Sequence, residues 1–139
     1  MLSFGATKNG ALAAEAVVFF ATSLVRDFEL RRKRAGHLIS KSRFVSAQLL
    51  AYVETGVWKR NAARANELAR RIGTAGGGAL MHPVEANEVF LKITAEEAAK
   101  LRALDFDFYD WGPGEIRLVT SWDQRGEEVE RLAAAIAAL

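Results

Sequence analysis

The stretch "SFGATKNGALAAEAVVFF", Ser3 to Phe20, sets a single lysine, Lys8, among glycine, alanine, threonine and asparagine, directly upstream of an apolar run. A lysine amine becomes a useful nucleophile when desolvation or a neighbouring positive charge lowers its pKa from about 10.4. It then forms Schiff bases with carbonyl compounds, pyridoxal phosphate among them. An imine-bound ring of that kind needs its lysine on a tight turn, little side-chain bulk around it, and a hydroxyl near the phosphate. Ala6, Gly10 and Ala11 leave the space, and Thr7 carries the hydroxyl. An ordinary solvent-facing turn lysine fits the same local pattern.

A second candidate lies in "GEIRLVTSW". Alternation puts Ile116, Leu118 and Thr120 on one face of a strand and leaves Arg117 on the other with Val119 and Ser121. A planar guanidinium on a rigid strand suits two-pronged capture of a carboxylate; an arginine snorkelling at a sheet edge is the plainer alternative. A third region, "RRKRAGHLISKSRF", is strongly basic. Residues 26–43 hold seven lysines and arginines against two acids, in a chain whose net charge is only +2. Lys41, Arg43 and the hydroxyls of Ser40 and Ser42 follow Gly36 and could meet a phosphate at a helix start, while a solvated helix face explains the same charges. Nucleic acid is a poor fit, because no stacking aromatics are interleaved with the basic residues. His82, before Pro83, reads as a turn histidine.

The chemistry is bounded by what is missing. Without cysteine there are no disulfides or thiolate ligands, and His37 and His82 are too few and too far apart to suggest a zinc site. No apolar run reaches the roughly 18 residues needed to span a bilayer, and no signal-peptide pattern opens the chain, so a cytoplasmic location is expected.

Several elements must position these residues. Leu2 to Gly5 and Ala16 to Phe20 read as two buried strands, of the kind covered on both faces, joined by the turn that carries Lys8. A basic amphipathic stretch runs from Ser23 to Gly36, and a second helix with Val45, Leu49, Tyr52 and Val53 on one face ends at Gly56. The next helix keeps its period through Trp58, Ala62, Ala65, Ala69 and Ile72 and is expected to stop near Gly73, with Gly76, Gly77 and Gly78 as a flexible loop. Then come a strand with Val89, Leu91 and Ile93 on one face, a helix opened by a Thr94/Glu97 capping box, and a hairpin of Phe106–Trp111 with Glu115–Ser121. A last helix, capped by Asp123, carries Val129, Leu132, Ala133, Ile136 and Leu139. Residues 57–139 are therefore expected to form a small α+β domain, and residues 1–56 the incomplete end of a larger one.

"LSFGATKNGALAAEAVVFF", "RRKRAGHLISKSRFVSAQLLAY", "HPVEANEVFLKI" and "FYDWGPGEIRLVTSWD" resemble, in order and spacing, the C-terminal part of the low-specificity L-threonine aldolases, beta-eliminating lyases among the fold-type-I pyridoxal-phosphate enzymes. The resemblance implies an α/β fold: the end of a large doubly wound domain followed by a small α+β domain, assembled as a homodimer or homotetramer with the active site at the subunit interface. It implies that Lys8 holds pyridoxal 5'-phosphate through an imine, that Thr7 sits near the phosphate, and that Arg117 receives the carboxylate of the amino acid substrate. The implied reaction is retro-aldol cleavage of threonine or allo-threonine to glycine and acetaldehyde.

There are two departures from the family pattern. Many relatives have a glycine-rich loop ending in an arginine that reaches the neighbouring subunit's phosphate. This chain has "GHLISKSR", where Ser40 takes the expected position and Lys41 or Arg43 would supply the charge. The family's pyridinium-binding aspartate, ring-stacking residue and further arginine lie upstream of the lysine and have no counterpart here. The chain is accordingly expected to be a fragment, inactive alone, with an oligomerising remnant as the alternative.

Overall fold

A computed structural model describes residues 1–139. It divides into two compact units, Met1–Arg60 and Asn61–Leu139. No helix is long and apolar enough to cross a membrane.

In the first unit β1 (Leu2–Gly5) and β2 (Glu15–Val18) pair antiparallel, Leu2 opposite Val18 and Gly5 opposite Glu15. The sequence suggests strands buried on both faces, and the structure differs. Within this chain the two strands pair only with each other, leaving Leu2, Val17, Val18 and Phe20 exposed. The basic stretch is also less helical than its periodicity suggests. Thr22–Leu24 is a single 3-10 turn, and α1 is confined to Phe28–Arg34 because Asp27 adopts φ +61°, a left-handed conformation that interrupts a helix. Only Phe28 of α1 is partly covered, its ring edge-on to Phe19 at 4.9 Å. α2 (Arg43–Glu54) stops where expected, with Thr55 as C-cap and Gly56 at φ +67°. Its Tyr52 joins Ala6 and Ala14 in a small core bordered by Phe4, Ala11, Val45, Leu49 and Val57.

α3 (Val57–Gly76) begins in this unit and runs into the second. It passes straight through Gly73, and Gly77–Ala79 continues as a 3-10 turn. Gly73 and Gly76 are spaces for packing, whereas Gly77 and Gly78 have open space around them. A Cβ on Gly73 would lie 2.5 Å from Val84 Cγ2, and one on Gly76 2.6 Å from Leu91 Cδ2.

The second unit is a three-stranded antiparallel sheet in the order β3-β5-β4, made of β3 (Glu88–Lys92), β4 (Tyr109–Gly112) and β5 (Glu115–Val119). Its inner face, Val89, Leu91, Ile93, Ile116 and Leu118, packs with Leu68, Ala69 and Ile72 of α3, Ala98 and Leu101 of α4 (Ala95–Ala103), and Val129 and Ile136 of α5 (Gly126–Ala137). Burial of such side chains supplies roughly 1.5–3 kcal/mol each and organises the layer. Thr120, buried among them, donates to the Ala65 carbonyl at 2.7 Å and so ties the end of β5 to α3.

The Thr94/Glu97 capping box is formed in full. Two other expectations shift. β4 starts at Tyr109 because Asp105 is left-handed at φ +64° and Phe108 turns inward to the core, beneath the Arg102 guanidinium at 4.3 Å. Asp123 does not cap α5, which begins three residues later with Arg125 as N-cap. Asp123 accepts from the Ser121 hydroxyl instead, and Glu127 and Glu128 supply the negative charge that suits a helix N-terminus.

Candidate functional site

Arg117 sits on β5, the central strand, so its backbone is held on both sides: Phe90 of β3 and Tyr109 of β4 are its register partners. The edge-of-sheet alternative is thereby excluded. Pleating sends its side chain to the face opposite the core, together with Glu88 and Phe90. Tyr109 and Trp111, two residues apart on β4, lie on that face as well, with a register irregularity between Asp110 and Gly112. The guanidinium carbon lies 5.4 Å from the Tyr109 ring and 5.2 Å from the Trp111 ring, and Phe90 packs edge-on to both Trp111, at 5.5 Å, and His82, at 5.8 Å.

Arg117 Nη2 donates to Glu88 Oε1 at 2.8 Å, and Nε is buried without a hydrogen-bond partner. An unmatched buried donor is costly, so the rings and Glu88, and not Nε, hold the fork in place. About a quarter of the side chain stays exposed, 26%. Five N–H groups with one committed to Glu88 leave capacity for a carboxylate.

Lys8 occupies the middle of a one-turn 3-10 helix, Thr7–Asn9, closed by Gly10 at φ +111°. Ala6 and Ala14 are buried beneath it, and the Ala6 N–H donates to the Ala14 carbonyl at 2.9 Å, while Lys8 itself is exposed. Thr7 Oγ1 accepts from the Ala14 N–H at 3.2 Å and donates to Glu15 Oε1 at 2.7 Å. Its one proton is thus in use, and a phosphate contact from Thr7 would require release of Glu15. Lys41, in the turn before α2, and Arg43, its first residue, are exposed; the Arg43 guanidinium lies 5.8 Å from the Phe44 ring.

No protein-family profile matches the chain. Over its whole length it is 42% identical to the low specificity L-threonine aldolase of a Pseudomonas species, strain NCIMB 10558, and over 98% of its length 41% identical to the one of Pseudomonas aeruginosa. It spans 42% and 41% of those proteins. The solved threonine aldolase of Leishmania major matches 98% of this chain with a TM-score of 0.88 and 25% identity, across 42% of that structure.

The chain is homologous to the C-terminal part of the threonine aldolases.

Its α/β fold matches part of a fold-type-I enzyme of that family. In this chain Lys8 and Thr7 share one turn, Lys41 and Arg43 flank the start of α2, and Arg117 stands in the second unit. The turn suits a flat aldehyde cofactor: buried alanines support it from below, small residues flank it, and its amine is exposed. A cavity of about 340 Å³ between Asp105, Phe106, Thr120, Gln124 and Glu128 includes none of these residues.

Sequence reasoning missed the surroundings of Arg117. The alternation of "EVFLK" and "YDW" places Glu88, Phe90, Tyr109 and Trp111 in phase for one face, yet only the register shows that they converge on Arg117. It also missed the bonds by which Tyr52 and Gln48, about 40 residues further along the chain, reach Asn9 of the Lys8 turn and Leu12 of its loop. No local signal announces such a contact.

Proposed function

We propose that this chain forms part of a subunit that cleaves L-threonine and L-allo-threonine to glycine and acetaldehyde with pyridoxal 5'-phosphate. The observation that carries this reading is 42% identity to a threonine aldolase along the entire chain, joined to an exposed lysine on a small-residue turn. Bound there, the cofactor supplies the electron sink for carbon–carbon cleavage. Lys8 would hold the cofactor through its amine at the aldehyde carbon, the aldehyde oxygen leaving as water. Lys41 or Arg43 offers cationic donors to the phosphate, and Thr7 adds a hydroxyl once it releases Glu15. Arg117 takes the substrate carboxylate on the donors that Glu88 leaves free, and Tyr109 and Trp111 limit water around the guanidinium, which strengthens the pair. The working assembly is a cytoplasmic homodimer or homotetramer.

The test is a chimera in which residues 1–139 replace the matching segment of the Pseudomonas enzyme. It should cleave threonine, absorb between about 330 and 430 nm when loaded, as a protein-bound pyridoxal imine does, and lose borohydride trapping on Lys8→Ala. Trapping that persists in Lys8→Ala would refute the assignment. A second reading, an association module without catalysis, rests on exposed Leu30, Leu38, Ile39, Phe44, Leu50 and Val53. Sedimentation of the isolated chain as a monomer would dismiss it.

A further inference from the structure

The loop that carries Lys8 is long and made of small residues, and its ladder closes only the base, where the Ala6 N–H meets the Ala14 carbonyl at 2.9 Å. Within the loop the Ala6 carbonyl accepts from the Asn9 and Ala11 N–H groups at 3.1 Å each and Thr7 Oγ1 from the Ala14 N–H at 3.2 Å, and further bonds come from outside it. On the arm that follows Lys8, Asn9 Nδ2 donates to the Trp58 carbonyl at 2.9 Å and to the Tyr52 hydroxyl. On the returning arm, Gln48 Oε1 accepts from the Leu12 N–H at 2.8 Å and, weakly, from the Ala13 N–H at 3.5 Å.

Gln48 and Tyr52 lie one turn apart on α2 and therefore share a face. Each is itself fixed. Gln48 Nε2 donates to the Phe44 carbonyl at 3.2 Å, and Tyr52 is 5% exposed, its ring 6.0 Å from that of Phe4. α2 is thus a rigid splint bonded to both arms of the loop, while the Lys8 side chain stays exposed. Lysine has a flexible four-carbon stem, so the one part of it that a protein can fix in advance is the backbone from which it springs.

We propose that Asn9, Gln48 and Tyr52 are positioning residues for Lys8, bonding both arms of its loop to α2 so that the amine meets an aldehyde from a fixed origin. This rests on the reading of Lys8 as the cofactor-bearing amine. The pair Gln48→Leu and Gln48→Glu separates position from bulk, because glutamate keeps an acceptor for the Leu12 N–H and leucine does not. Tyr52→Phe removes the acceptor used by Asn9 and keeps the buried ring.

Two measurements decide. In the full chain, hydrogen exchange at Leu12 should accelerate about tenfold in Gln48→Leu, the loss of roughly one hydrogen bond, and stay near the parent rate in Gln48→Glu. In the chimera, the rate at which pyridoxal phosphate becomes borohydride-trappable on Lys8 should fall in Gln48→Leu and Tyr52→Phe and recover in Gln48→Glu. Unchanged Leu12 exchange in Gln48→Leu would show that there is no clamp. Unchanged trapping in Gln48→Leu, or a Gln48→Glu variant as slow as Gln48→Leu, would show that the clamp does not position the amine. Lys8→Ala separates the two failures: trapping that survives it overturns the Lys8 reading and the positioning role together, whereas trapping abolished by it but indifferent to Gln48→Leu overturns the positioning role alone.

Discussion

Three consecutive glycines should respond to alanine with different signs. At Gly76, the last residue of α3, alanine adds about 1 kcal/mol of helix propensity. Its Cβ, however, would sit 2.6 Å from Leu91 Cδ2. Ordinary contact begins near 3.4 Å, and Leu91 is fully buried, so it can move only by pushing β3. Overpacking of this kind costs about 1–3 kcal/mol, and Gly76→Ala should therefore destabilise the second unit by about 1 kcal/mol net. Gly77 is at φ +48°, where a Cβ costs about 1–2 kcal/mol whatever the space, so Gly77→Ala should also destabilise. Gly78 has nothing within 4 Å of a built Cβ, and Gly78→Ala should stabilise by about 0.4–1 kcal/mol through the unfolded chain. Urea dependence of exchange at the β3 and β5 amides reads all three. If Gly76→Ala stabilises the unit as much as Gly78→Ala does, the packing argument is wrong and the run is a loop.

Arg117→Lys in the chimera should raise the KM for threonine by the equivalent of one charge-assisted hydrogen bond, about 1.5–3 kcal/mol, with kcat affected less; an unchanged KM would remove Arg117 from the carboxylate site. The Glu97 carboxylate accepts from the Thr94 N–H at 2.7 Å and the Thr94 hydroxyl at 2.9 Å, which hold its pKa below the ordinary glutamate value, the backbone bond foremost. A carboxylate depressed in the folded state stabilises above its unfolded pKa and loses that contribution as pH falls through the folded one. First-turn amides of α4 should accordingly fray on acidification in the parent and show a flatter pH response in Glu97→Gln, as exchange measured across the acid range would reveal. Thr120→Val should cost about 1 kcal/mol in urea unfolding, since the hydroxyl bond to the Ala65 carbonyl is lost while volume is kept.

Where one residue's environment decides the structure, the sequence was informative. Alternation in "EVFLK" and "EIRLV" correctly assigned Val89, Leu91, Ile116 and Leu118 to the core and Arg117 to the other face. Thr94 and Glu97 announced their own capping box because both partners lie within four residues. The glycines after Ile72 misled, because a missing side chain signals flexibility and close approach alike, and only the position of Val84 and Leu91 tells them apart. β1 and β2 read as buried because composition registers what a strand's side chains prefer, not which strands are present to cover them. Lys8, Thr7 and Arg117 stood out by type and context, but the Gln48 and Tyr52 supports did not, since their spacing is set by the path of the chain through space.

Because β5 is stitched to a neighbour along each side, the origin of the Arg117 side chain is anchored independently of what surrounds its tip. Tyr109 and Trp111 are mostly in solvent, on a strand whose outer flank is free, and Glu88 lies on the opposite margin of the sheet. The arrangement is a fixed post between two exchangeable walls. Changes at positions 88, 109 and 111 would therefore redirect the guanidinium about a backbone origin that itself stays where the sheet puts it.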